Sequence, residues 1–262
     1  MMKLSGLLIT KNNAITLEWA LRSVIRYLDE LIIIDDFSTD NTVEIAERFG
    51  AVVYKKKFVN FSEQRNYGIS KCNGEWIFTM DADEVMGENL GRIMPYLENT
   101  RYRAFLFARY NLVHLDPDVI IRSPQHYSEW QVRVFRNDGK CYYENPVHHQ
   151  LRNCHPRLKL PDINIFHFHF LLYDYDTRKK RVDYYESLNK GDGHADCYLF
   201  EDYPHYYSYG VEKIEQSLLC DIKQDMKNVK YEYTVDWLEQ KKFECKIRLK
   251  TKIAHLRAKI SL

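Results

Sequence analysis

The chain has 262 residues, enough for one sizeable domain or a domain with an appendage, and 45% of them are hydrophobic. A formal net charge of +1 gives no basis for nucleic-acid binding, which needs a pronounced basic face. The cysteines at 72, 141, 154, 197, 220 and 245 form no C-x-x-C pair, and no stretch approaches the roughly 18 apolar residues of a membrane span, so a soluble, cytoplasmic protein with reduced thiols is expected.

Residues 1–14 lack a basic segment followed by a long apolar run, so no secretory signal is expected. The continuous apolar run at 6–10 predicts a strand covered on both faces. Leu17, Ala20, Leu21, Val24 and Leu28 then follow helical spacing. Residues 31–34 predict a second buried strand, ending in Asp35-Asp36. Asp40-Asn41-Thr42 starts a helix, with Glu44 three residues after Asn41 in capping-box register. A third strand is expected at 51–54, after the helix-ending Gly50. A helix follows at 61–72, and a fourth strand at 75–80. This β-α-β-α-β-α-β order implies a parallel sheet with right-handed crossovers. Beyond Arg101 the pattern changes to strands at 105–108, 130–135 and 163–170, then to helices at 177–190, 211–227 and 237–260.

The fourth strand runs into Asp81-Ala82-Asp83-Glu84, at the carboxyl edge where open α/β sheets bind ligands. Two carboxylates spaced i, i+2 lie on one side of an extended chain, so Asp81 and Asp83 can share one hard divalent cation. Such an ion, Mn²⁺ or Mg²⁺, usually completes its shell with substrate phosphates and water. The first turn, Thr10-Lys11-Asn12-Asn13, has no glycine, which excludes the dinucleotide and P-loop modes of phosphate binding. Polar groups nonetheless cluster at the strand ends. Thr10, Asn12, Asp35 and Asp36 are candidates for base and ribose, and Arg65 on the intervening helix for base or phosphate.

Residues 7–86 resemble the nucleotide-binding half of the family-2 glycosyltransferases, which have the GT-A fold. The resemblance rests on Ile9-Thr10-Lys11-Asn12, Ile34-Asp35-Asp36-Phe37-Ser38-Thr39-Asp40-Asn41-Thr42, Gln64-Arg65-Asn66-Tyr67-Gly68-Ile69 and the segment 74–84, in that order. The D-A-D-E form is similar to the branch that includes lipopolysaccharide-core glycosyltransferases. Asn13 stands where that branch usually has Glu, and Phe37 where it usually has Gly. More weakly, residues 129–136 resemble that branch's acidic residue and following strand. Asn145-Pro146-Val147-His148-His149 resembles its Val-His-Glu element, with His149 replacing Glu.

The resemblance implies an α/β, Rossmann-like GT-A domain, with a mostly parallel sheet and helices on both faces, over residues 1–172. Within it, 1–100 form the nucleotide-binding half and 101–172 the acceptor half, and 173–262 make a helical C-terminal extension. It also implies an inverting, metal-dependent transfer of a sugar from a nucleotide-diphosphate sugar to a hydroxyl of a glycan, lipid-linked or protein-linked acceptor. Asp81 and Asp83 would hold Mn²⁺ or Mg²⁺, with His148 either a third ligand or a hydrogen-bonded loop histidine. Arg133 would pair with the diphosphate or support a nearby carboxylate. Glu129 is the preferred general base, with Glu144 and His149 as rivals. A sugar-phosphate nucleotidyltransferase would need a Gly-rich first loop, and intact Asp36, Arg65, Asp81 and Asp83 weigh against a decayed, non-catalytic carbohydrate-binding protein.

Two further patterns stand outside these motifs. His167 and His169 alternate with Phe166, Phe168 and Phe170, which places both imidazoles on one face of a strand lining the cleft, as half-buried structural histidines. In residues 241–262, Lys241, Arg248, Lys252 and Lys259 fall on one helical stripe. Such a helix either touches an anionic membrane surface peripherally or is a solvated helix packed on the domain.

Overall fold

The computed structural model describes residues 4–115, 118–121, 129–147, 150–190, 195, 198, 199, 206, 207 and 213–228. Strands β1 (Leu4–Thr10), β2 (Glu30–Asp35), β3 (Val52–Lys55) and β4 (Trp76–Asp81) pair in parallel in the order β3-β2-β1-β4. β1, β2 and β4 are buried almost throughout, which is why they read as unbroken apolar runs rather than alternating ones. Leu8, Ile33 and Phe78 face one side of the sheet, against Leu17, Ala20, Leu21 and Val24 of α1 (Ala14–Val24) and Ile45 of α2 (Thr42–Arg48). Leu7, Ile32, Ile34 and Ile77 face the other, where α3 (Phe61–Ile69) packs through Tyr67 and Ile69. Helices therefore cover both faces.

Beyond β4 the sheet becomes mixed. After β5 (Glu84–Met86) and α4 (Met94–Glu98) come β6 (Ala104–Leu115), β7 (Asp118–Ile121) and β8 (Glu129–Arg136). β8 runs antiparallel to β4 and to β6. Its register against β6 jumps between Phe105↔Val134 and Leu106↔Val132, leaving Arg133 as the extra residue of a β-bulge. A small hairpin, β9 (Tyr142–Glu144) and β10 (Gln150–Arg152), lies over α3 and is tied to it by Asn66 Nδ2 donating to the Tyr143 carbonyl at 2.8 Å. β11 (Arg157–His167) is parallel to β6 and antiparallel to β5. Helices α5 (His169–Leu172), α6 (Tyr175–Leu188) and α7 (Gln216–Asp225) follow, and the two-residue β12 (Tyr206–Tyr207) pairs with β7.

Three local expectations are corrected. The strand expected at 163–170 begins earlier and stops at His167. Phe168 takes a near-helical conformation (φ −95°, ψ 1°) and opens α5, its buried ring packing on Trp19 at 5.7 Å. The capping box at Asn41 is absent: Asn41 makes no side-chain cap, and Asp40 Oδ1 instead accepts from Thr42 N at 3.1 Å. Finally, β4 ends at Asp81 and Ala82-Asp83 form a turn, so strand alternation does not relate Asp81 to Asp83. The helix expected at 177–190 is α6, and that at 211–227 is the shorter α7. The helix expected at 237–260 lies outside the described residues.

Among the described residues no helix is long and apolar enough to cross a membrane. α7 docks on α1 through Leu218, Leu219 and Ile222. Trp19 Nε1 donates to Asp225 Oδ2 at 2.8 Å, and Arg22 pairs with Asp221 at 2.6 Å.

α3 approaches β1 closely only because residue 68 is glycine. A Cβ there would overlap Leu7 Cδ1 and lie 3.1 Å from Ile34 Cγ1, and Leu7 is fully buried with nowhere to swing. Gly68→Val should therefore destabilise the fold by about 1–3 kcal/mol through overpacking. A urea titration checks this, and an unchanged midpoint would refute the packing account.

Candidate active site

A cavity of about 990 Å³ opens where β1 and β4 end. Thr10, Asp36, Asp81 and Asp83 line it from the first half of the chain, Glu129 and Arg133 from the second, and Arg181, Tyr184 and Tyr185 from α6. Of the residues expected at the nucleotide, Thr10, Asp36, Asp81 and Arg133 reach this cavity. Asn12, Asp35 and Arg65 do not line it.

Asn12 and Asp35 instead build the turns beside it. Asn12 sits at φ 52°, where Asn is better tolerated than most residues, and its Oδ1 accepts from Thr39 N at 2.8 Å. Asp35 is fully buried and accepts from both the N–H and the hydroxyl of Ser38. Asp36 Oδ2 is ion-paired with Lys11 at 2.5 Å, and its Oδ1 accepts from Phe58 N at 2.9 Å. Burial opposes ionisation of Asp36, but these bonds and the charge of Lys11 outweigh it and hold the carboxyl below its usual range.

Asp81 and Glu84 form a second cluster with three arginines. Arg65, 1% exposed, donates to Asp81 Oδ1 and, at 2.5 Å, to the Thr79 hydroxyl. Arg133, aimed by the bulge in β8, pairs with Glu84 Oε1 and lies 3.6 Å from Asp81 Oδ2. Arg109 on β6 reaches Glu84 Oε1 at 3.2 Å and Asp81 Oδ2 at 3.8 Å. Glu84 is completely buried, and its Oε2 accepts the Asp81 N–H at 3.0 Å. A buried carboxylate needs this degree of pairing to remain charged.

The other end of Arg109 forks onto Glu129, with Nη2 to Oε1 at 2.5 Å and Nε to Oε2 at 3.1 Å. Gln131 also donates to Oε1 at 2.7 Å, and Asn111 to Oε2 at 3.4 Å. These donors hold the Glu129 carboxyl in place at the cavity wall. Its rival Glu144 sits exposed on β9 and does not itself line the cavity, though Arg152, its ion-pair partner at 2.7 Å, does. His149 and the proposed ligand His148 lie outside the described residues.

Asp83 belongs to a third cluster. His167 Nε2 lies 3.5 Å from its Oδ1 and His169 Nδ1 3.9 Å from its Oδ2, and the ligand atoms of the three residues fall within 4.8 Å of one another. His167 Nδ1 donates to Asn111 Oδ1 at 2.6 Å, the tautomer consistent with Asn111 directing its amide N–H groups at Glu129. His167 Nε2 therefore faces Asp83. His169 Nδ1 accepts from Arg181 Nη1 at 3.2 Å. Burial, with the charges of Arg181 and His167, keeps the His169 imidazole neutral well below its usual range. Burial disfavours the charged form of Asp83, but the charge of His167 and its hydrogen bond outweigh that and keep the carboxyl strongly acidic. One carboxylate and two imidazoles whose ligand atoms lie within 4.8 Å of one another fit a divalent cation, and the Asn111 bond to His167 is the outer-shell support such ligands usually have.

Sequence reading paired Asp81 with Asp83, whereas the structure gives them different partners. It did not single out Arg109 or Arg181, and it left Glu84 without a role. Glu84 had a signal, as an acid directly after a strand-end motif. Arg109 and Arg181 had none, because each acts through partners distant in sequence.

Residues 5–159 match the model of glycosyl transferase family 2. An uncharacterized glycosyltransferase of Rickettsia felis is 38% identical over 109 residues, 40% of this chain and 38% of that protein. The glycosyltransferase SunS, from the SPbeta prophage of Bacillus subtilis, is 30% identical over 150 residues, 56% of this chain and 34% of SunS. The chain thus spans little more than a third of the length of these relatives. Among solved structures, S. aureus TarS 1-349 in complex with UDP-GlcNAc is similar with a TM-score of 0.47 at 14% identity, over 76% of this chain and 70% of that one. Glucosyl-3-phosphoglycerate synthase from Mycobacterium tuberculosis, in complex with Mn²⁺, UDP and glucosyl-3-phosphoglycerate, gives 0.35 at 20% identity, over 42% of this chain and 44% of that one. His167, His169 and Arg181 all lie beyond the stretch that matches the family.

The neutral His169 has a consequence for stability. An unfolded-chain histidine takes up a proton near pH 6.5, whereas buried His169 does not, so below that pH the unfolded state binds more protons. Stability should fall with pH below about 6.5, by at most about 1.4 kcal/mol per pH unit for this one group. Denaturant titrations between pH 7.5 and 5.5 in EDTA should show this slope, and His169→Asn should reduce it. Equal slopes in the two proteins would contradict the assignment.

Proposed function

The chain belongs to glycosyl transferase family 2, and from that premise we propose that it moves a sugar from a nucleotide-diphosphate sugar to an acceptor hydroxyl with inversion at the anomeric carbon. The observation that carries this reading is the convergence of Asp83, His167 and His169 in the same cavity as Glu129. In this proposal Thr10 and Asp36 bind the base and ribose, and Asp83, His167 and His169 would hold a divalent ion at the diphosphate; all five line the cavity. Mn²⁺ suits this donor set better than Mg²⁺, because imidazole nitrogen favours the softer ion. When bound, such an ion neutralises charge on the departing diphosphate.

In a single displacement the acceptor oxygen bonds to the anomeric carbon as the bond from that carbon to the β-phosphate oxygen breaks. The electron pair departs with the nucleoside diphosphate, and the hydroxyl proton passes to the base on the opposite face. Glu129 takes that proton in this proposal. With Arg109, Gln131 and Asn111 all donating to it, its oxygens are saturated at rest. Proton transfer therefore requires at least one of these donors to turn away, and Arg109 is the natural one because its other contacts are the acids of the diphosphate side. Asp81, clasped by Arg65, positions that cluster. The acceptor is a glycan, lipid-linked or protein-linked hydroxyl. A peripheral contact with an anionic membrane surface from the cytoplasmic side, through residues 241–262, belongs to the same proposal, and those residues lie outside the described ones. The glycine-free turn at 10–13 keeps the nucleotidyltransferase reading in second place.

Nucleoside diphosphate release from UDP-, GDP- and dTDP-sugars, with Mn²⁺ and with EDTA, tests the reaction class. Release should require the metal and vanish in Asp83→Asn. Glu129→Gln should slow transfer by about 10²-fold or more while sparing donor affinity. Undiminished release by Asp83→Asn at saturating Mn²⁺ would overturn the proposal.

A further inference from the structure

Arg109, Arg133 and Arg152, three of the arginines that line the cavity, are ion-paired with carboxylates, as is Arg65 beneath them, and Arg157 donates to the Leu151 carbonyl at 2.7 Å. Arg181 has no carboxylate oxygen within 4.0 Å among the described residues. Its guanidinium instead stacks on the Tyr173 ring at 3.9 Å and donates to His169 Nδ1 at 3.2 Å. It is a half-buried cation beside Asp83, His167 and His169 in the same cavity, with no carboxylate paired to it directly among the described residues.

The same hydrogen bond creates a conflict. His169 Nδ1 has a single lone pair, which Arg181 occupies and which a cation at Asp83, His167 and His169 also needs. Metal binding would therefore strip Arg181 of that acceptor and set two positive groups side by side. An anion bridging them would relieve that repulsion. Resting on the proposed function, we infer that Arg181 binds the diphosphate of the donor together with the metal, and takes part of the negative charge that develops as the leaving group departs. The helix is suited to this role. Asp174 caps α6 by accepting from Thr177 N at 2.8 Å, and buried Arg178 anchors it by donating to the Tyr198 carbonyl at 3.0 Å, so Arg181 is delivered from a rigid element. The pyrophosphate site is thereby completed by a helix outside the segment that matches the family.

Inorganic pyrophosphate serves as a probe independent of base and sugar. Calorimetry on the full chain would measure Mn²⁺ alone, then pyrophosphate on the Mn²⁺-loaded protein, for wild type, Arg181→Ala and Arg181→Lys. Arg181→Ala should bind Mn²⁺ at least as tightly as wild type, since a competing N–H and a like charge are gone. Its affinity for pyrophosphate should nevertheless fall about 10- to 100-fold, as expected for a lost charge-assisted bond, with Arg181→Lys in between. Unchanged pyrophosphate affinity in Arg181→Ala overturns the inference. A joint loss of Mn²⁺ and pyrophosphate with a lowered melting temperature also overturns it, by showing a structural role. If wild type binds neither probe, the proposed function itself fails.

Discussion

A short antiparallel pairing brings together the two halves of the Asp83, His167 and His169 cluster. β5 directly follows the D-A-D turn, and it pairs with the last residues of β11 so that Glu84 lies opposite His167. Phe168 N donates to the Asp83 carbonyl at 3.0 Å, and Gly87 N to the Asn164 carbonyl at 3.0 Å. These backbone bonds fix the Asp83 side chain beside the two imidazoles. Asp83 owes its position to the turn after β4, and His167 and His169 owe theirs to the end of a strand far downstream. Neither segment forms the cluster alone.

Burial then sorts the charges. Glu84 is fully enclosed, and Arg109 and Arg133 satisfy one of its oxygens while the Asp81 N–H satisfies the other. The cost of desolvating this set is large, and removing one partner would leave its counter-charge stranded. The same cost makes the set rigid. Arg109 spans Glu84 and Glu129, so the orientation of the candidate base is coupled to the acids at the end of β4.

The parallel half was legible because fully buried strands write themselves as apolar runs, and 6–10, 31–34 and 75–80 did so. The mixed half was less legible for identifiable reasons. The bulge at Arg133 breaks the alternation that would have shown which residues of β8 face the site. The alternation of His167 and His169 was real, but it crosses from a strand into a helical turn at Phe168. The two imidazoles therefore meet at Asp83 rather than lining a strand face. Asn12 and Asp35 carry the right chemistry for a ligand, yet their hydrogen bonds are spent on Thr39 and Ser38. The composition of a strand end shows that polar groups gather there. It does not show which of them the backbone has already claimed.

The central claim is that Asp83, His167 and His169 hold one divalent ion. Pulsed electron paramagnetic resonance on the Mn²⁺-loaded full chain reads it directly, because ¹⁴N coupling reports imidazole bound to manganese. The account expects one tightly bound Mn²⁺ with coupling to two imidazole nitrogens, reduced to one by either His167→Ala or His169→Ala alone. A bound Mn²⁺ with no nitrogen coupling, or a spectrum unaffected by either substitution, would contradict it.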